Sequence, residues 1–251
     1  MLVAALACPH PPLLLPGLGG GADPLARLRA AILDGLKDLA AAEPETLVLV
    51  GDADRTARWD LAMPRCGARF AAKRVAFGLA DLSGPALPLS LSVGQELLDA
   101  AGWPGPRELV SVAETASFDE CQALGWELAD TRRRAALLVL GDGSARRGEK
   151  APGYLDPRAA DYDDLVLRGL SGDLAALRHL DPVLGMELLV AGRAPWQVLA
   201  VAAAAEAPMA SSVPVGARQP GDRAARAPRA RIRYADDPFG VYYVVSSWEM
   251  A

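Results

Sequence analysis

Short apolar runs that end at polar residues or at glycine are the main pattern along this chain. Leu2–Ala7 is the first run, Thr46–Val50 the second and Ala135–Leu140 the third, and glycine directly follows the last two. Runs of this kind are typical of strands covered on both faces, as in a parallel sheet. Between the first two runs, Asp23–Ala42 carries its leucines at helical spacing behind an Asp-Pro start. This order of strand, helix and strand predicts an α/β fold.

The remaining pattern predicts alternating helices and strands with no internal repeat. Helices are predicted over Gln95–Ala101, Phe118–Arg133, Pro157–Leu170, Asp173–Leu180, Pro182–Ala191 and Pro195–Ala205. Strands are predicted over Arg69–Phe77, Leu87–Val93, Glu108–Val112, Ser212–Val215, Arg231–Tyr234 and Val241–Ser247. The segment Gly216–Ala230, rich in Arg, Pro, Gly and Ala, is interpreted as a loop. Because nothing in the pattern marks a boundary, we expect one domain over 1–251.

Composition narrows the classes of partner. The chain has 251 residues, 51% of them hydrophobic, and a net charge of -5, which does not favour nucleic acid as a partner. Its three cysteines are far apart and lack metal-ligand spacing, which favours a reduced, cytoplasmic setting. No apolar stretch approaches the roughly 20 residues of a membrane span, and the start does not resemble a signal peptide. We therefore expect no membrane association.

Candidate chemistry lies just after the apolar runs. Because parallel strands end at one edge of a sheet, the loops after Ala7, Val50 and Leu140 are expected to open on the same side, where α/β folds bind ligands. His10, one of 2 histidines, follows the first run. The second loop adds Asp52 and Asp54, and the third adds Asp142 and Ser144. Glu187, in the predicted 182–191 helix, is a carboxylate with apolar neighbours. The sequence therefore predicts a small-molecule site at this edge of the sheet.

Five segments together resemble one known family. They are Cys8-Pro9-His10-Pro11-Pro12-Leu13, Val50-Gly51-Asp52-Ala53-Asp54, Gly141-Asp142-Gly143-Ser144-Ala145, Gly153-Tyr154-Leu155-Asp156-Pro157 and Glu187 through Trp196. In order and spacing they are similar to the class III extradiol ring-cleavage dioxygenases, in particular the catalytic B-subunit-like group whose fold is shared with the Memo proteins. The resemblance runs from residue 2 to about residue 205. It implies a three-layer αβα fold with a mostly parallel central sheet. Members of this group often form dimers, so the resemblance also implies a dimer.

The resemblance also implies a non-haem Fe²⁺ site with two histidines and one carboxylate. His10 matches the first histidine ligand and Glu187 the carboxylate ligand. The second ligand histidine is missing, because Asp52-Ala53-Asp54-Arg55 stands where it is expected. The acid–base histidine is missing as well, because Ala145 follows Ser144. The other histidine, His179, is interpreted as a surface or helix-end residue, so the iron site is incomplete.

Two hypotheses follow from this incomplete site. In the first, the chain is a pseudoenzyme whose cleft binds a small molecule or a partner chain and holds no metal, and His10 is hydrogen-bonded to Asp52 or Asp54. In the second, it is a metal-dependent dioxygenase, hydrolase or lyase in which an aspartate replaces the missing histidine beside His10 and Glu187, with Fe²⁺ or Mn²⁺ as the metal. Asp142 and Ser144 are then the candidate catalytic residues.

A third hypothesis is weaker than these two. It takes the glycines at 17–21 as a phosphate cradle, but they fail the spacing of nucleotide-binding motifs. The sequence does not determine the oligomeric state, and a homodimer is only what the resemblance implies.

Overall fold

The computed structural model describes residues 1–15, 23–66, 86–206 and 228–250. Four sequence predictions lie wholly or largely outside these residues. They are the strands Arg69–Phe77 and Ser212–Val215, the glycines at 17–21, and most of the loop Gly216–Ala230.

The described strands form one seven-stranded sheet in the order β3-β4-β2-β5-β1-β7-β6. The strands are β1 (Leu2–Cys8), β2 (Thr46–Ala53), β3 (Ala57–Trp59), β4 (Arg107–Ala113), β5 (Ala135–Leu140), β6 (Arg229–Asp236) and β7 (Tyr243–Glu249). The three apolar runs became β1, β2 and β5, which are neighbours in the centre of the sheet, as their double-sided burial requires. The short strand β3 was not predicted.

The sheet is mixed, which corrects the expectation of a mostly parallel sheet. The central strands β4, β2, β5 and β1 pair in parallel. Both edges are antiparallel, because β3 pairs with β4 on one side while β7 pairs with β1 and β6 on the other. The parallel centre still places the carboxyl ends of four strands at one edge.

The described helices lie close to the predicted segments, with one exception. They are α1 (Ala26–Ala41), α2 (Leu89–Ala100), α3 (Phe118–Ala129), α4 (Arg158–Leu170), α5 (Leu174–Arg178), α6 (Pro182–Glu187) and α7 (Arg193–Glu206), with short 3-10 turns at Pro12–Leu14 and Pro238–Gly240. None of them is long and apolar enough to cross a bilayer.

The exception is Leu87–Val93, which the alternation of leucine and serine had indicated as a strand. Most of this segment is the first turn of α2. The alternation misled because both sides of this turn are buried: Ser90 Oγ donates to the Asp52 carbonyl at 2.7 Å, and Ser92 Oγ donates to the Leu87 carbonyl at 3.3 Å. A serine whose hydroxyl donates to a backbone carbonyl can be buried, so it does not mark a solvent-facing side of the segment.

Buried side chains form two clusters, and β1 contributes alternate residues to each. Ala5 and Ala7 belong to the cluster that includes Trp196 of α7. Leu6 belongs to the other cluster, with Ile32 of α1 among its members. Because β1 is packed on both sides and paired with a strand at each edge, the residues that follow it start from a fixed position.

Candidate functional site

The carboxyl ends of the parallel strands bring a histidine and carboxylates together. His10 follows β1, Asp52 lies near the end of β2, Glu114 follows β4 and Asp142 follows β5. His10 is 4% exposed, and the side chains of Asp52 and Asp142 are 12% and 15% exposed. The structure therefore gathers the predicted strand-end residues His10, Asp52 and Asp142 in one nearly buried cluster.

His10 lies between the two aspartates. Its Nε2 is 3.1 Å from Asp52 Oδ1, and its Nδ1 is 3.7 Å from Asp142 Oδ1. The backbone N–H of His10 donates to the same Asp142 oxygen at 2.8 Å. The Nε2 contact with Asp52 lacks hydrogen-bond alignment, and the Nδ1 contact with Asp142 is too long for a hydrogen bond, so Asp52 Oδ1 and His10 Nδ1 are buried without an aligned partner. The imidazole is thus held electrostatically by both carboxylates.

Two glycines set the positions of these aspartates. A Cβ on Gly51 would lie 2.4 Å from Ser90 Oγ, so glycine lets α2 approach the strand just before Asp52. A Cβ on Gly141 would lie 2.5 Å from the Gly192 Cα. The close approach allows the Gly192 N–H to donate to the Asp142 carbonyl at 2.9 Å. Both glycines that end the apolar runs therefore bring a second segment to the site.

The charges of this cluster are coupled. Burial by itself would lower the pKa of His10, but the carboxylates of Asp142 and Asp52 outweigh burial and raise that pKa to about 9. Burial raises the pKa of the Asp142 carboxyl, and His10 opposes this rise. We infer that His10 is an imidazolium at neutral pH, because one cation beside two carboxylates lowers the cost of burying all three.

Two residues of the predicted ligand set lie elsewhere, which corrects the expectation that they join His10. Glu187 ends α6 with its side chain 51% exposed, and its Oε2 accepts a hydrogen bond from Arg158 Nη1 at 2.7 Å. Asp54 is 79% exposed and lies 3.9 Å from Arg55 Nη1. The apolar neighbours of Glu187 left two alternatives open, a helix end in water or a position facing a cleft, and the structure shows the helix end, with Met186 and Leu189 also largely exposed. The sequence offers no sign of this exposed apolar surface.

Ser144, a predicted catalytic residue, is fully buried in a structural contact. Its backbone N–H donates to Asp163 Oδ1 at 2.9 Å, and its hydroxyl donates to Asp163 Oδ2 at 2.6 Å. Arg147 Nε lies 3.8 Å from the same carboxylate. Burial raises the pKa of Asp163 to about 6, against the hydrogen bonds from Ser144. This arrangement fixes the loop after β5 and leaves Ser144 without solvent access.

Glu114 and Arg193 contribute to the site and were not identified from the sequence. The Arg193 guanidinium is buried and donates to the backbone carbonyls of Glu114 and Ala116, and to Gln197 Oε1 at 3.1 Å. The arginine therefore ties the end of β4 to α7. A carboxylate directly after the strand at 107–113 was a signal that could have identified Glu114.

An open cleft lies beside this cluster. It encloses about 320 Å³ and is lined by Glu114, Pro182, Gly185, Met186, Leu189, Val190, Ala191 and Arg193. Burial raises the pKa of Glu114, and the carboxylates of Asp52 and Asp54 raise it further, while His10 lowers it. Glu114 is thus the electrostatic link between the cleft and the His10 cluster.

The donor set does not fit the iron site that the resemblance implies. That site needs two histidines and a carboxylate, but Glu187 is paired with Arg158, and His179 lies exposed with its Nδ1 2.7 Å from the Ala175 carbonyl. Within the described ranges, no three His, Cys, Asp or Glu side chains form a group that could hold a metal ion.

The cysteines give a direct test of the geometry. Cys8 is buried, and burial together with Asp142 raises the pKa of its thiol. Burial also raises the pKa of Cys121, to about 11. Because thiolates are the reactive form, we expect Ellman's reagent at pH 8 to label Cys66 alone in the native protein and all three thiols in guanidinium. Rapid native labelling of Cys8 would contradict its placement behind the His10 cluster.

These observations define an α/β protein with a mixed seven-stranded sheet and a polar cluster at the carboxyl ends of its parallel strands. Among solved structures, the uncharacterized protein JW3007 from Escherichia coli K12 is similar to this chain, with a TM-score of 0.53 and 16% sequence identity. The similarity covers 98% of this chain and 99% of the other. At this identity the similarity shows a shared fold alone. No family model matches the chain, and no curated protein matches it.

Proposed function

We propose that this chain is a divergent, non-catalytic relative of the class III extradiol dioxygenase B subunits that binds a small molecule in the Glu114 cleft. On this proposal, the helices cover both faces of the sheet in a three-layer αβα arrangement, and the protein acts in the cytoplasm, in keeping with its scattered free cysteines. No nucleic acid or membrane takes part, and assembly is as a homodimer.

One observation carries this proposal: both ring nitrogens of His10 face carboxylates of the same chain, at 3.1 and 3.7 Å. An imidazole held between two carboxylates of its own chain has a structural role. The remaining ligand that the resemblance implies, Glu187, is bound to Arg158. The cleft that adjoins this cluster has a size and mostly apolar walls that suit a small organic molecule.

The alternative is a metal-dependent enzyme, and one feature favours it. Asp52 Oδ1 and His10 Nδ1 are buried without an aligned hydrogen-bond partner, and such orphaned atoms sometimes face an ion. We therefore test the two functions together. Protein loaded anaerobically with Fe²⁺ or Mn²⁺ and then desalted is expected to retain well under one ion per chain and to consume no oxygen with a panel of catechols. Stoichiometric metal with oxygen uptake would establish the enzyme.

The binding function has its own test. A fragment library screened by thermal shift is expected to yield ligands whose effect is lost in Ala191→Trp, because the indole fills the cleft that Ala191 lines. Ala129→Trp, at the end of α3 and outside the cleft lining, is the matched control. Ligands that stabilise Ala191→Trp as much as the unmodified protein would contradict binding in this cleft.

A further inference from the structure

We propose that the Glu114 cleft takes a small organic cation, a protonated amine on an apolar body. This inference rests on the proposed binding function and adds the class of ligand. It follows from the walls of the cleft, from the exposed and unpaired carboxylate of Glu114, and from the excess of negative charge behind it.

The walls suit an apolar body. Pro182, Met186, Leu189 and Val190 line the cleft, and Met186 and Leu189 are 54% and 48% exposed. Leu189 also has a left-handed backbone, with φ of 58°. This is the turn that ends α6, in which the Leu189 N–H donates to the Met186 carbonyl at 3.1 Å and the Val190 N–H donates to the Gly185 carbonyl at 2.8 Å. The turn holds the backbone of Leu189 in place, and a ligand in the cleft would cover its exposed side chain.

The solvent-exposed charge in the cleft is negative, because Glu114 is exposed and Arg193 is buried. Glu114 and Arg193 are the charged residues of the lining. Arg193 is buried, and its guanidinium already bonds the carbonyls of Glu114 and Ala116 and the side chain of Gln197. The Glu114 carboxylate, in contrast, has neither an ion-pair partner nor a hydrogen-bond partner within 1–15, 23–66, 86–206 and 228–250. It is the group that a ligand can meet.

The cluster behind Glu114 strengthens this preference. Asp52, Asp142 and Glu114 contribute three carboxylates, against the guanidinium of Arg193 and at most one positive charge on His10. His10 is 4% exposed and lies 3.1 and 3.7 Å from the two aspartates, so its charge faces them and not the cleft. In either protonation state of His10 the group remains negative. An ammonium group beside Glu114 offsets this excess, whereas a carboxylate or phosphate adds to it.

The test uses three probes of one shape: 3-phenylpropylamine, 3-phenylpropanol and 3-phenylpropanoate. Isothermal titration with the full chain at pH 7 is expected to give at least tenfold tighter binding of the amine than of the alcohol or the acid. Glu114→Gln is expected to weaken amine binding on the order of tenfold, the effect of about 1.4 kcal/mol, and to leave the alcohol unchanged. Arg193 bonds the backbone of residue 114, so this variant keeps that contact.

Glu45→Gln is the matched control, because Glu45 is exposed just before β2, at the opposite edge of the sheet. Equal binding of the three probes, or an unchanged amine affinity in Glu114→Gln, would overturn the inference. If the alcohol or the acid binds better and Ala191→Trp blocks it, the amine class is wrong and the binding function stands. If neither these probes nor the fragment library binds, both proposals fall.

Discussion

Replacing His10 by alanine is expected to lower the free energy of unfolding by about 3 to 5 kcal/mol at pH 7, the usual cost of removing one partner from a buried ion pair. The substitution leaves Asp142 and Asp52 close together and nearly buried without a cation. Urea unfolding followed by circular dichroism measures the change. The matched control is His179→Ala, which removes an exposed histidine and is expected to change stability by less than about 0.5 kcal/mol.

The same ion pair predicts a pH dependence with a definite sign. The pKa of His10 is raised from 6.5 to about 9 in the folded protein. Its stabilising contribution is therefore fully present below pH 6.5 and is lost as the pH rises from 6.5 through 9. The difference in unfolding free energy between the unmodified protein and His10→Ala is expected to shrink over that range. A difference that stays constant to pH 9.5 would rule out the imidazolium.

The second large effect concerns Asp163. Asp163→Ala is expected to lower the free energy of unfolding by about 3 kcal/mol, because the buried N–H and hydroxyl of Ser144 lose their acceptor. Asp163→Asn keeps an acceptor for the N–H and places its amide nitrogen against the hydroxyl oxygen. Asp164→Ala, at an exposed position of the same helix, is the control and is expected to be nearly neutral.

Asp163 also has its own pH window. Because the pKa of Asp163 is raised from 3.8 to about 6, the fold favours the protonated form, and this contribution to stability is lost as the pH rises from 3.8 through 6. Asp163→Asn removes this titration, so the variant is expected to be about 1 kcal/mol more stable than the unmodified protein at pH 8. Chemical denaturation at pH 4.5 and pH 8 separates the two proteins. A less stable Asp163→Asn at pH 8 would mean that the ionised carboxylate is the better partner.

The centre of the fold was predictable because its signal is local. The three apolar runs became the neighbouring strands β1, β2 and β5, since a strand buried on both faces needs apolar residues at every position. The antiparallel edges were less predictable. Strand β6 is only partly covered, and β3 has three residues, so neither shows continuous burial. The first turn of α2 was misassigned because buried serines there imitate the alternation of a strand.

The site was partly predictable for the same reason. The common direction of the central strands is enough to predict that His10, Asp52 and Asp142 lie at one edge of the sheet. The orientation of Glu187 depends on Arg158, which is 29 residues away, and no local pattern encodes that pairing. The burial of Ser144 likewise depends on its hydrogen bond with Asp163, which lies in α4. The sequence alone did not reveal pairs of side chains that are distant along the chain.

The position of β1 in the sheet has a consequence for how a ligand enters and leaves. β1 is hydrogen-bonded to β5 on one side and to β7 on the other, so the backbone that carries His10 separates only when the sheet itself opens. The six-residue helix α6, by contrast, supplies much of the cleft wall and is exposed along most of its length. On the proposed binding function, a molecule can therefore enter and leave this open cleft past α6 without any opening of the sheet, and the imidazole keeps its place.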